Sequence, residues 1–106
     1  MYAVIFKART KKLNEVYFSM AKRMRELAMS EYGCTEFAAV MEGSSEIAIS
    51  YWDNLEQIKK WKQDSEHLVA QELGKSRWYE DYMVEIVEVL FAYGKDKDTK
   101  TIEDNK

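Results

Sequence analysis

Histidine is the one residue type that changes charge near neutrality without help from its surroundings, and this sequence holds a single one, His67. It is the natural candidate to take a proton from a phenol or an enolisable ketone. A lone histidine on an amphipathic segment equally fits an ordinary hydrogen-bonded role. Arg77 keeps its charge and presents several donors, which suits an oxyanion, although Glu80 and Asp81 stand near enough in sequence to pair with it instead. Trp52, Trp61, Trp78 and Tyr79 offer rings with polar tips, the lining of apolar ligand pockets and of packed cores alike. Met20, Met24 and Met29 read as helix packing that also suits an adaptable pocket wall. Cys34 has no second cysteine to bridge to, and it follows a helix end rather than preceding a helix start, so it reads as an inert thiol. One cysteine and one histidine exclude a Cys/His metal cage, and no metal site is expected.

Hydrophobic periodicity defines the elements that must hold these residues. Tyr2 to Arg9 sets Tyr2, Val4 and Phe6 against Ala3 and Ile5, the alternation of a strand. From Lys12 to Tyr32, Leu13, Val16, Tyr17, Met20, Met24, Leu27 and Ala28 recur at three- and four-residue spacing, which predicts an amphipathic helix. Gly33 is placed to stop it. Thr35 to Glu42 and Glu46 to Trp52 are apolar runs joined by Gly43-Ser44-Ser45, a hairpin composition. Asp53 and Glu56 have the spacing of a capping box, followed by Leu55, Ile58 and Trp61 on one face of a second helix. Asp64 or Ser65 restarts that helix after a kink, carrying His67, Leu68, Val69 and Leu73 to Gly74. A last strand is expected over Tyr82 to Tyr93. The order strand, helix, strand, strand, helix, strand resolves as an antiparallel four-stranded sheet with both helices on one face. That is an α+β, ferredoxin-like βαββαβ sandwich over residues 1–94. Residues 95–106 are almost wholly polar and are expected to form a disordered tail.

A chain of 106 residues has room for one domain of ordinary size. Its net charge of -3 leaves no basic excess to neutralise phosphates, so nucleic acid is not an expected partner. No stretch approaches the roughly 20 apolar residues needed to cross a bilayer, and Met1 runs at once into a strand pattern without a charged-then-apolar leader. The expected setting is the cytoplasm, away from membranes.

The strands pose a problem of coverage. Successive side chains point to opposite faces of a sheet, and helices on one side cover only one of them. Yet Ala3 and Ile5 oppose Val4 and Phe6; Ala38 and Val40 oppose Phe37, Ala39 and Met41; Ile47, Ile49 and Tyr51 oppose Ala48 and Trp52; and Val84, Ile86 and Leu90 oppose Val87, Val89 and Phe91. Both faces are apolar. Monomers seldom expose more than a few hundred Å² of contiguous apolar surface, and burying it is favourable by roughly 25 cal/mol per Å². A second copy of the chain is the expected cover, with an apolar ligand lying across an open sheet as the alternative.

Ser50-Tyr51-Trp52-Asp53, Trp61, His67, Leu73-Gly74 and the run Arg77-Trp78-Tyr79-Glu80-Asp81-Tyr82 together resemble the antibiotic-biosynthesis-monooxygenase family of dimeric α+β barrels, over residues 2–93. The resemblance implies a homodimer joined through the open sheet face. It also implies oxidation of small aromatic or quinonoid molecules by molecular oxygen with no bound metal, flavin or other cofactor; some relatives degrade haem, isomerise small metabolites or lack demonstrated activity. The haem-degrading pattern has a histidine ten residues after the tryptophan and an asparagine on the first strand. Here Gln71 stands ten residues after Trp61, His67 only six after it, and the first asparagine is Asn14, so haem degradation is disfavoured. The quinone-oxidising pattern binds its substrate with tryptophan, tyrosine and an amide, and Trp61 preceded by Gln57 is similar to it, with His67 where a phenol can stand.

The sequence therefore leads to a cofactor-independent monooxygenase for a small aromatic, quinol or enolisable compound. His67 is its expected base or hydrogen-bond donor, and Trp61, Gln57, Trp52, Arg77, Trp78 and Tyr79 are the expected substrate contacts. The alternative is a non-catalytic dimer of the same fold that binds a small apolar molecule or serves in stress.

Overall fold

The computed structural model describes residues 1–64 and 77–95, and the backbone of 101–102. Six elements run β1 (Tyr2–Thr10), α1 (Glu15–Glu31), β2 (Glu36–Glu42), β3 (Ser45–Trp52), α2 (Leu55–Gln63) and β4 (Tyr79–Glu88). A separate two-residue ladder pairs β5 (Gly94–Lys95) with β6 (Thr101–Ile102). The expected continuation of the second helix, His67 with it, and most of the tail lie outside the described residues.

The main sheet has the order β2-β3-β1-β4, every neighbouring pair antiparallel, which is the ferredoxin-like βαββαβ arrangement. Register fixes its faces, because residues directly opposite one another point the same way. Val4 stands between Ser50 and Ile86, with Phe37 beyond Ser50. That rung faces the helices. Ile5 stands between Ile49 and Glu85 on the other side.

α1 begins later than the periodicity predicts. The Asn14 side chain accepts a hydrogen bond from the Tyr17 amide at 3.1 Å, satisfying one of the donors that a helix start leaves open. Its inward stripe is Tyr17, Met24 and Ala28; Val16 and Met29 point to solvent. Gly33 ends it at φ +89°, a conformation that side chains with a Cβ rarely adopt.

The capping box of α2 lies one residue beyond the expected one. The Asn54 side chain accepts from the Gln57 amide at 2.9 Å, and Gln57 Oε1 accepts from the Asp53 and Asn54 amides at 3.0 and 3.4 Å. Asp53 directly follows the last β3 residue, leaving the capping position to Asn54. α2 then buries Ile58 and Trp61, while Leu55 in its first turn is exposed, contrary to its expected inward place. The helix ends at Gln63, where Asp64 turns extended.

β4 starts three residues earlier than expected and stops at Glu88 rather than Tyr93. β1 runs out at Tyr2, which pairs with Glu88, and only the Val89 amide reaches further, to the Met1 carbonyl at 2.9 Å. Leu90 and Phe91 therefore lie past the sheet. The register also slips between Arg9 and Thr10: Arg9 opposes Asp81, but Thr10 opposes Tyr79. Glu80 is the extra residue, and the slip turns Tyr79 to the helix side, as a bulge re-aims a side chain.

The core gathers Val4, Met24, Ala28, Cys34, Trp52, Ile58 and Trp61. Among the described residues no helix is long and apolar enough to cross a membrane.

A Cβ on Gly33 would fall 2.4 Å from Gln57 Nε2, on a side chain already held by the α2 cap. Gly33→Ala should therefore destabilise the fold by about 1–3 kcal/mol through backbone strain and collision. Denaturant midpoints should show part of that loss restored when Gln57→Ala is added; equal midpoints for Gly33→Ala and the native chain would contradict the account.

Candidate functional site

Between the inward sheet face and α1 lies a cleft of about 460 Å³. Its floor explains it. Phe6 stands between Val84 and Ala48, and Ala48 opposes Ala39, so two of the four side chains in this rung are single methyl groups. Met20 and Ala21 line the cleft from α1.

The walls are aromatic. Phe6, Tyr79 and Tyr82 form one cluster with ring centroids 5.3 to 5.9 Å apart. Trp78 meets Tyr17 edge-on at 4.9 Å. At the opposite end Trp61 lies 5.3 Å from Trp52 and 6.2 Å from Phe37. The Trp61 indole N–H donates to the Met24 carbonyl at 3.2 Å, which fixes the ring against α1.

One end is polar. Glu46 has the inward parity of Ala48, Ser50 and Trp52, and it is only 9% exposed. Tyr17, 4% exposed on the first turn of α1, donates its hydroxyl proton to Glu46 Oε1. The Tyr79 hydroxyl lies 3.1 Å from that of Tyr17. A carboxylate only accepts, and a phenol has one proton to give. With the Tyr17 proton committed to Glu46, Tyr79 must be the donor to Tyr17.

Burial, then the carboxylate of Glu46, holds the Tyr17 phenol far above the ordinary tyrosine range. Burial likewise pushes Tyr79 up to about 12, against the opposing effect of its hydrogen bond to Tyr17. Both phenols keep their protons at neutral pH. Cys34, buried, donates to the Glu36 carbonyl at 3.2 Å, and burial raises its thiol. Among the described residues no group of three or more acidic, histidine or cysteine side chains could hold a metal ion.

Of the residues singled out by sequence, the cleft brings together Trp61, Trp78 and Tyr79. Trp52 sits behind Trp61, fully buried, its indole donating to Ser50 Oγ at 2.9 Å. Gln57 faces a separate hollow with Gly33 and Asn54, and Arg77 is exposed. His67 lies outside the described residues. Tyr17 and Glu46 were not among the expected site residues. Glu46 carried a signal: its parity places a carboxylate on the side of the sheet where Ala48 and Trp52 are packed.

The sheet order and the helix layer are the ferredoxin-like α+β fold of solved antibiotic-biosynthesis-monooxygenase structures. SnoaB of Streptomyces nogalater, a cofactor-independent oxygenase, superposes with a TM-score of 0.72 at 8% identity, covering 86% of this chain and 94% of its own. Rv0793 of Mycobacterium tuberculosis gives 0.74 at 12% identity, over 86% and 96% of the two chains. A further antibiotic biosynthesis monooxygenase gives 0.72 at 13%, over 85% and 99%. At such identities the likeness is one of fold. In sequence, the chain is 37% identical over 89 residues to YqjZ of Bacillus subtilis (strain 168), an uncharacterized protein, covering 83% of this chain and 78% of that one. The chain belongs to the family of YqjZ. No protein-family model matches the sequence.

The raised Tyr79 pKa sets an alkaline limit on stability. The fold favours the neutral phenol, so its contribution is complete below the unfolded value of 10.0 and is lost as pH climbs through about 12, the unfolded chain releasing its proton first. Denaturation midpoints should fall across that window, and less steeply in Tyr79→Phe. Identical slopes for the two proteins would refute it.

Proposed function

We propose that the protein is a cofactor-independent monooxygenase that oxidises a small aromatic, quinol or enolisable compound in the cleft. The observation that carries this reading is the cleft itself: about 460 Å³, walled by aromatic rings, with the Glu46, Tyr17 and Tyr79 cluster at one end and Lys22, Arg25 and Lys62 also in its lining. Such a space suits a flat apolar molecule oriented by one or two polar groups. The oxygenase activity of SnoaB, on the same fold, supports the choice of chemistry.

The reaction starts with removal of a proton from the substrate. The resulting carbanion or enolate gives electrons to molecular oxygen, a C–O bond forms, and the hydroperoxide loses water to leave a carbonyl. A CH₂ group and O₂ become C=O and H₂O, so no external reductant is needed. In this scheme His67 is the base, and Trp61, Trp78 and Tyr79 hold the ring. Trp52 and Gln57 act through Trp61, one by ring contact and the other by capping its helix, while Arg77 remains a candidate for the oxyanion.

The protein works as a homodimer through the outer face of the sheet. There Val40, Ile47 and Met83 are 66%, 42% and 57% exposed, which leaves apolar surface for a second copy to bury.

Oxygen uptake with a panel of anthrones and quinols tests the chemistry. At least one should be consumed, and His67→Ala should slow it by about a hundredfold or more. No uptake across the panel would leave the non-catalytic binding dimer as the better reading, and an unchanged rate in the variant would remove His67 from the mechanism. Sedimentation at micromolar concentration tests the assembly: the native chain should run as a dimer and Ile47→Glu with Met83→Glu as a folded monomer. A native monomer would rule out the interface.

A further inference from the structure

The polar end of the cleft has spent its protons. Tyr17 gives its hydroxyl proton to Glu46, and Tyr79 gives its own to Tyr17 across 3.1 Å. What remains for a ligand at that end are lone pairs: those of the Tyr79 oxygen and of the second carboxylate oxygen of Glu46. No described hydrogen bond or ion pair other than that of Tyr17 engages the Glu46 carboxylate, and it is more than nine-tenths buried in the cleft wall. A buried acceptor left without a donor is costly, and a ligand that brings an O–H relieves it.

We propose that Glu46, Tyr17 and Tyr79 form an acceptor-only end that selects the hydroxyl-bearing form of an aromatic ligand over its carbonyl form. This rests on the reading of the cleft as a ligand site and adds the direction of recognition. A phenol or quinol O–H finds lone pairs waiting. A ketone or quinone oxygen, itself an acceptor, meets lone pairs and leaves its own hydrogen-bonding capacity unmet, and sites built around a substrate hydroxyl reject analogues lacking it strongly. The raised phenol pKa values keep both tyrosine protons in place at neutral pH, so the direction of the bonds persists there.

Calorimetry with α-naphthol and α-tetralone, one ring skeleton carrying a hydroxyl or a carbonyl, reads this without any turnover. The native protein should bind the naphthol at least about tenfold more tightly. Glu46→Gln, which keeps the volume but adds an N–H donor, should shrink that ratio chiefly by improving tetralone binding. Tyr79→Phe, which keeps the ring, should shrink it by weakening naphthol binding. A packing role alone would move both ligands together. Equal native affinities, or a ratio that survives in both variants, would overturn the inference and leave the cleft a ligand site. Binding of neither compound would overturn the ligand reading as well.

Discussion

A carboxylate inside a protein is tolerated only with hydrogen-bonding partners, and the placement of Glu46 at the inward start of β3 imposes that demand on everything around it. Tyr17 meets it from the first turn of α1, so the helix start and the strand start are tied across the layer. The Asn14 cap fixes where that turn begins. Thr10, next to the rung of Ala8 and Glu46, bonds the Ser44 carbonyl through both amide and hydroxyl, at 2.8 and 3.2 Å, which holds the hairpin end against β1. The bulge opposite then delivers Tyr79. Tyr17 alone bonds the carboxylate, and Tyr79 reaches it through the Tyr17 hydroxyl.

The remainder of the inward face divides by side-chain size. Around Trp52 and Trp61 large rings fill the layer and make the core; around Ala39 and Ala48 methyl groups leave it open. Trp61 belongs to both regions, packed on one side and lining the cleft on the other. Pocket and core are here one surface whose occupancy changes along the strand.

The architecture was legible because each element carries a period that only one regular structure satisfies, and because Gly33 marks a left-handed stop. Boundaries were less so. Asp53 and Asn54 both cap well, and the choice falls to the end of β3 pairing, which lies in the partner strand. The early start of β4 depends on a bulge, and a bulge is set by register against β1, invisible in the local run around Tyr79. At the site, the aromatic residues could be named by type. Tyr17 stood in the apolar stripe of the first helix, and Glu46 opened the third strand with no role assigned to it. Parity with Ala48 and Trp52 aims that carboxylate inward, but the phenols gathered around it come from α1 and β4, far away in the chain.

The outer face follows a different logic. Lys7 pairs with Glu85 at 3.6 Å and Arg9 with Asp81 at 2.6 Å, all four side chains about half exposed or more. Solvent screens pairs as open as these, so they contribute little to a fold, and the apolar side chains beside them add nothing while they stay wet. Neither set is accounted for by the stability of a single chain. Lys7 stands in register between Ile47 and Met83, so charge interrupts the apolar surface within one rung. A partner that covers Ile47 must also accommodate that lysine and its glutamate. In the proposed dimer this interruption restricts how the two sheets can be laid together, so the same rung supplies both the apolar area and the orientation of the contact.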